Sequence, residues 1–289
     1  MKRFDHCPST FPALLLGLML LPGLVGASAL ERLFAPDAEL WPRWQAHAAD
    51  DARVIDHATW DRFLKTYVKR SGDGMRRVAY AAVSDSDRQA LDAYIDSLAG
   101  SDIDSYARAQ QFAYWVNLYN ALTVQVVLDH YPVASIRDID ISPGLFADGP
   151  WKKKLVTING ESVGLDDIEH RILRPIWRDP RIHYAVNCAS VGCPDLQPEA
   201  FTAANSERLL DRAAADYVNH PRGVSVDQGR VTASSIYNWF KSDFEVDGGV
   251  LAHIRRHADP ALRAKLDGIG AIDSYQYDWS LNDLAAPEG

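Results

Sequence analysis

The amino-acid sequence predicts an α+β protein, a mostly helical single domain around a small, mainly antiparallel sheet. Apolar residues recur at helical spacing over five long segments. Strand-like runs are fewer and short, and two of them contain a turn with glycine, the mark of a hairpin. No internal repeat, low-complexity block or long linker divides the chain. Helices flanking a small, hairpin-built sheet define the α+β arrangement.

Helical periodicity covers residues 60–68, 87–98, 107–128, 165–176 and 200–218, with shorter helices expected at 236–244 and 250–257. Residues 155–163 read as a hairpin about Asn159-Gly160, and residues 224–232 as a second one with Gly229 in its turn. Residues 182–188 and 269–277 are expected to add two more strands. The stretch 112–128 is apolar nearly all round, so its helix belongs in the middle of the domain.

Lys2 and Arg3 precede an apolar run over 11–25, followed by Gly26-Ala27-Ser28-Ala29. That is the order of a signal peptide: charged start, short apolar run, small-residue cleavage site. The run falls short of the roughly 20 residues of a membrane span, and Pro22 interrupts it. Residues 1–29 are therefore expected to be a signal peptide and residues 30–289 one exported domain, periplasmic or secreted, with no stable membrane insertion once the signal is removed. The formal charge of −9 becomes −10 when Lys2, Arg3 and Asp5 leave. An acidic chain without a basic stripe argues against nucleic acid or anionic lipid as partner. The one basic cluster, Trp151-Lys152-Lys153-Lys154, reads as a solvated strand start.

Cys7 leaves with the signal, so both cysteines of the mature chain lie in the fourteen residues from Arg181 to Pro194, together with His183 and Asn187. A thiol near an imidazole is open to several readings. Cys188 and Cys193 can close a short disulfide loop, the default for a pair of thiols in an oxidising compartment. They can supply metal ligands together with His170 and His183, although their C-x4-C spacing is wider than the usual structural zinc pattern. One of them can be a nucleophile with His183 as its base. Strand alternation would place His183, Ala185 and Asn187 on one face and Ile182, Tyr184, Val186 and Cys188 on the other, so a Cys188–His183 pair requires the strand to break before Cys188.

Two further anomalies point to the same region. Asn117 and Asn120 share a face of the apolar helix, where an unpartnered amide would cost about 1–3 kcal/mol. They either tie the helix to a neighbouring loop backbone or orient an imidazole, as an amide does in Cys-His-Asn hydrolases. Glu169 falls inside the stripe Leu165, Ile168, Ile172 and Ile176, and so faces the core. A carboxylate there needs a partner, with Arg174, Arg178 and Arg181 available and His170 at the edge of the stripe. No Gly-rich phosphate loop, G-x-S-x-G or H-E-x-x-H occurs, and no cofactor or resident metal is expected.

Three motifs in order, 112–123, 164–174 and 179–194, resemble the family called domain of unknown function 547. The looser segments 54–80 and 235–244 are similar to family sequence as well, so the resemblance covers nearly all of residues 30–289. It admits a distant relation to papain-like or transglutaminase-like folds. The family pattern often has Ser where this chain has Gly164 and Gly192. It also accommodates Ser in place of Cys193, which weakens an obligatory disulfide and favours Cys188 as the nucleophile.

The expected activity is that of a Cys-dependent hydrolase or acyltransferase acting on amides or peptides in the cell envelope. Cys188 attacks, His183 takes its proton, and Glu169 or Asn117 holds the imidazole, with backbone N–H groups of residues 189–192 as oxyanion donors. Peptides, peptidoglycan stems and small amides are all possible substrates. The competing expectation is a non-catalytic envelope protein that binds a peptide or small-molecule ligand, with a Cys188–Cys193 staple and Glu169, Asn117 and His183 as a buried structural network.

Overall fold

At the centre of the computed structural model, which describes residues 35–144 and 149–284, runs the helix Arg108–His130. The expected signal peptide lies outside the described residues. From Gln110 to Leu128 this helix is buried at every position but Gln125. It ends where Tyr131, extended at ψ 137°, precedes Pro132, which disfavours helical backbone in the residue before it.

Against it pack Asp85–Ala99 and the π-helical part of the 165–177 segment, and Ala58–Tyr67 packs in turn on Asp85–Ala99. Ser84 caps Asp85–Ala99 by accepting the Asp87 N–H. Tryptophans fill the space between: Trp44 and Trp60 are buried, and Trp44 meets Trp115 edge-on at 5.0 Å. A second apolar cluster forms around Ser206–Val218, Val250–His257 and the β-strands near the C-terminus, with Tyr184, Tyr217, Tyr237 and Phe244 at its heart.

The α+β expectation holds, but the strands make three small sheets rather than one. Strands β1 (Val68–Arg70) and β2 (Arg76–Val78) pair antiparallel, a hairpin that sequence periodicity did not reveal. Strands β3 (Val156–Ile158) and β4 (Glu161–Val163) form the expected hairpin, with Asn159 and Gly160 at φ +46° and +83° as its two-residue turn demands. Strands β5 (Val224–Asp227) and β6 (Arg230–Ser234) form the other, and β7 (Ser274–Gln276) joins β6 in parallel. Of the strand expected over 269–277, only β7 is realised.

Two segments depart from expectation in ways that shape the site. The helix expected from residue 165 is π-helical over Asp167–Leu173 before becoming α-helical at Arg174–Trp177. Bonding with one extra residue per turn, as in Arg174 N–H to Glu169 O, lets Glu169 and His170 both turn inward beside Arg174. The segment 182–188, expected as a strand, has no strand beside it. Ile182–Ala185 is one helical turn, opened by Pro180 and by Asp179, whose Oδ1 accepts the Arg181 N–H at 2.8 Å. The chain then runs extended, and the Asn120 side chain replaces a neighbouring strand. Its Nδ2 donates to Ala185 O at 2.9 Å, and its Oδ1 accepts the Asn187 N–H at 2.8 Å. The turn therefore spans both cores, with Ile182 and Ala185 in the central cluster and Tyr184 in the second.

Among the described residues no helix is long and apolar enough to cross a membrane. Of the basic cluster, all three lysines are exposed, and Lys154 also pairs with Asp167.

Candidate functional site

The loop from Cys188 to Cys193 lies at the seam between the two cores, and the returning C-terminal segment clamps it. The Val191 N–H donates to Ser280 O at 2.8 Å, Gly192 N–H to Asp278 O at 2.7 Å, and Asn282 N–H to Ala189 O at 3.0 Å. A side chain at position 192 would bring its Cβ to 2.7 Å from the Asp278 nitrogen, so glycine permits an approach that a larger residue would have to open. Asn187 ties the loop across its base: Oδ1 accepts from Ala189 N–H, and Nδ2 donates to Pro194 O. Ala189 itself sits at φ +60°.

Inside this clamp both thiols are free, Cys188 partly exposed and Cys193 buried. The Cys188 N–H donates to Cys193 Sγ at 3.0 Å. The Cys188 sulfur lies 3.2 Å from Ser190 Oγ and 3.0 Å from the Tyr277 hydroxyl, and those two hydroxyls are 2.8 Å apart. The thiol of Cys193 and the Ser190 N–H also face it. These donors, the Cys193 thiol foremost, outweigh burial and draw the Cys188 thiol below its ordinary range. Burial, reinforced by the neighbouring Cys188, pushes the Cys193 thiol well up. Burial likewise raises the Tyr277 phenol, helped by both cysteines.

A second polar constellation sits under Phe240. His183 Nε2 lies 2.8 Å from Asp243 Oδ2, and since a carboxylate only accepts, that nitrogen carries the proton. Arg174 reaches the same carboxylate with two bonds, Nε to Oδ2 at 2.6 Å and a guanidinium NH2 to Oδ1 at 3.2 Å. Its other terminal nitrogen donates to His170 Nδ1 at 2.8 Å, which makes that nitrogen an acceptor and His170 neutral. Burial, with Arg174 adding to it against the pull of Glu169, lowers His170 to about 4. Glu169 Oε1 stands 3.6 Å from His183 Nδ1 and 3.9 Å from His170 Nδ1, ion-pair rather than hydrogen-bond distances. Burial disfavours its charge, but His170, His183 and Arg174 together prevail and hold the carboxyl at about 2. Phe240 stacks flat on His183, ring centres 4.4 Å apart, and carries the Arg174 guanidinium at 4.6 Å.

The structure therefore brings Glu169 and His183 together and leaves Cys188 with other partners. No hydrogen bond joins His183 to Cys188 among the described residues; the buried Tyr119 hydroxyl is raised by burial first and then by Glu169 and the two cysteines. Asn117 does not orient an imidazole. Its amide exchanges two bonds with the Phe201 backbone, at 2.8 and 3.0 Å, tying the central helix to the loop ahead of Ser206–Val218. The expected Glu169–Arg pair also fails to form: Arg174 goes to Asp243, and Arg181 to Asp179, Glu207 and Asp211. The oxyanion expectation for residues 189–192 needs the same correction, since the N–H groups of Ala189, Val191 and Gly192 are all spent inside the protein. Nor do the cysteines and histidines converge as metal ligands; no cluster of three or more potential ligands occurs among the described residues.

Ser190, Tyr277 and Asp243 escaped the sequence reading. Ser190 stood two residues from Cys188 and could have been weighed with it. Tyr277 and Asp243 are brought in from 89 and 60 residues away, with no local signal. Tyr277 arrives with Trp239 and Trp279, whose ring centres lie 4.8 and 4.6 Å from its own. Open recesses of about 590 and 320 Å³ lie elsewhere, the first beside His57, Asp61 and Thr202, the second beside Asp195, Arg222 and Asp259.

The family described as "Protein of unknown function, DUF547" matches residues 103–218, which supports membership over that region. That match spans the central helix, the π-helical segment and the whole Cys188–Cys193 loop. No curated protein and no solved structure matches the chain, so a relation to papain-like or transglutaminase-like folds rests on the family resemblance alone.

Proposed function

We propose that this protein is an exported cysteine-dependent hydrolase or acyltransferase of the cell envelope, acting on amide or peptide substrates with Cys188 as nucleophile. The observation that carries the reading is the convergence of the Cys193 thiol, the Ser190 hydroxyl and N–H, and the Tyr277 hydroxyl on one partly exposed sulfur. Hydrogen bonds of this kind favour the thiolate, the species that attacks a carbonyl. Tyr277, kept protonated by its raised pKa, is placed to hand a proton to the leaving amine. The Trp239 indole N–H, buried without a partner, is a donor left over for a substrate carbonyl.

In this reading His183 and Glu169 are positioning residues. They set the helical turn that leads into Asn187 and Cys188. A binding protein stapled by Cys188–Cys193 has less support, because both thiols stand free. An activated aryl ester tests the proposal. Rapid release of the phenol, with a transient acyl group on Cys188 located by mass spectrometry and absent from Cys188→Ala, is the expected result. If Cys188 stays unacylated while the protein remains folded, the acyl-transfer reading fails.

A further inference from the structure

Cys193 has no role in acyl transfer beyond one hydrogen bond, yet it is held beside the nucleophile with unusual care. Its N–H donates to Ser190 O at 3.1 Å, its sulfur accepts the Cys188 N–H at 3.0 Å, and the glycine before it lies against the Asp278 backbone. It is 4% exposed, so a reagent from solvent meets Cys188 first. We propose that Cys188 and Cys193 are an attacking and a resolving thiol that reduce small or peptide disulfides by thiol–disulfide exchange. This rests on the reading of Cys188 as a nucleophile and gives the same site a second substrate class.

The Cys188 thiolate attacks one sulfur of a disulfide R–S–S–R′. A Cys188–S–R bond forms, the substrate S–S bond breaks, and R′–S⁻ leaves and takes a proton from water. Cys193 then loses its proton to water and attacks Cys188 Sγ; the mixed disulfide breaks and R–S⁻ leaves to be protonated. The substrate has gained two electrons and two protons, and the protein holds a Cys188–Cys193 disulfide. An external dithiol returns the pair to the reduced state by the same exchange.

The fold suits the second step. Residues 189–193 are already fixed to the 278–282 segment, so bringing the two sulfurs together requires little further loss of chain entropy. The Cys188 thiolate also stops opposing ionisation of Cys193 once it is bonded to R, which activates the resolving thiol only after the first step.

Oxidised glutathione is the probe. The full chain, reduced and freed of reductant, should release two glutathione thiols per protein and finish with a Cys188–Cys193 disulfide, both read by mass spectrometry after alkylation. Cys193→Ser should release one and retain a glutathionyl group on Cys188, and Cys193→Ala serves if the serine variant is unstable. Release of one thiol by the natural chain, with a lasting adduct on Cys188, overturns the inference and leaves the nucleophile standing. Release of none, with Cys188 also inert to iodoacetamide below the ordinary thiol range, overturns both.

Discussion

Two polar constellations lie near the seam between the two cores, and they are built on opposite principles. Around His183 the charged groups are gathered together: Asp243 with Arg174 and His183, Glu169 near the same imidazole and guanidinium, and His170 kept neutral by an Arg174 N–H. Around Cys188 the donors all aim at one atom, and that residue is partly open to solvent. Compensated networks hold a fold in one conformation; an uncompensated accumulation of donors on a nucleophile shifts its chemistry. The sequence suggested one catalytic set, and the structure separates it into a charge-paired cluster around His183 and a group of donors around one thiol.

Acid should separate the two most strongly. His170, His57 and His253 are each lowered by burial to about 4 from the usual 6.5. The unfolded chain thus takes up protons that the folded chain refuses, so their stabilising share is whole above 6.5 and lost as pH falls towards 4. Each contributes on the order of 3 kcal/mol at the lower end. Asp166, raised to about 6 by burial and then by Glu169, works the other way and returns part of the loss below that pH. Thermal unfolding followed by circular dichroism from pH 8 to 4 should show a steep decline, whereas Cys188 labelling should follow the ionisation of its own thiol rather than this loss. A flat profile would mean the histidines are not held neutral.

Next in size is Arg174→Met, which strands the Asp243 carboxylate beside His183. Removing one partner of a buried pair costs about 3–5 kcal/mol. Denaturant unfolding should register that loss, and iodoacetamide should still label Cys188 in the folded protein with an unchanged pH profile. If the profile moves with stability, the charge-paired cluster and the donors around the thiol are one device after all.

The long helices were legible because their stripes are long. The central helix, apolar nearly all round, could only be buried, and both glycine-turn hairpins stand where they were expected. The segment 182–188 misled because Ile182, Tyr184 and Val186 alternate like a strand, while its backbone partner turned out to be a side chain, Asn120, 65 and 67 residues away from the groups it bonds. Glu169 could be placed facing inward, but its neighbours depended on a π-helical turn that no simple period describes. Asn120→Ala tests this directly. It leaves Ala185 O and Asn187 N–H without partners, and about 1–3 kcal/mol of stability should go with them. Because Asn187 leads into the thiol loop, the labelling profile of Cys188 should broaden as well; an unaltered profile would show the loop to be held by the C-terminal clamp alone.

The smallest and sharpest test is Tyr277→Phe. The ring stays, so the contacts with Trp239 and Trp279 remain, and only the hydroxyl 3.0 Å from Cys188 Sγ is removed. Ser190 Oγ loses its partner at 2.8 Å too, and is then free to turn fully to the sulfur. One hydrogen bond to a charged acceptor contributes about 1.5–3 kcal/mol, part of which Ser190 recovers. The midpoint of Cys188 alkylation should therefore rise by roughly one pH unit, about 1.4 kcal/mol, with global stability almost unmoved. A double replacement with Ser190→Ala should raise it further than the two single changes added together, since each hydroxyl covers for the other. Strict additivity would mean that the two hydroxyls act on the thiolate independently and that their mutual bond does nothing for it.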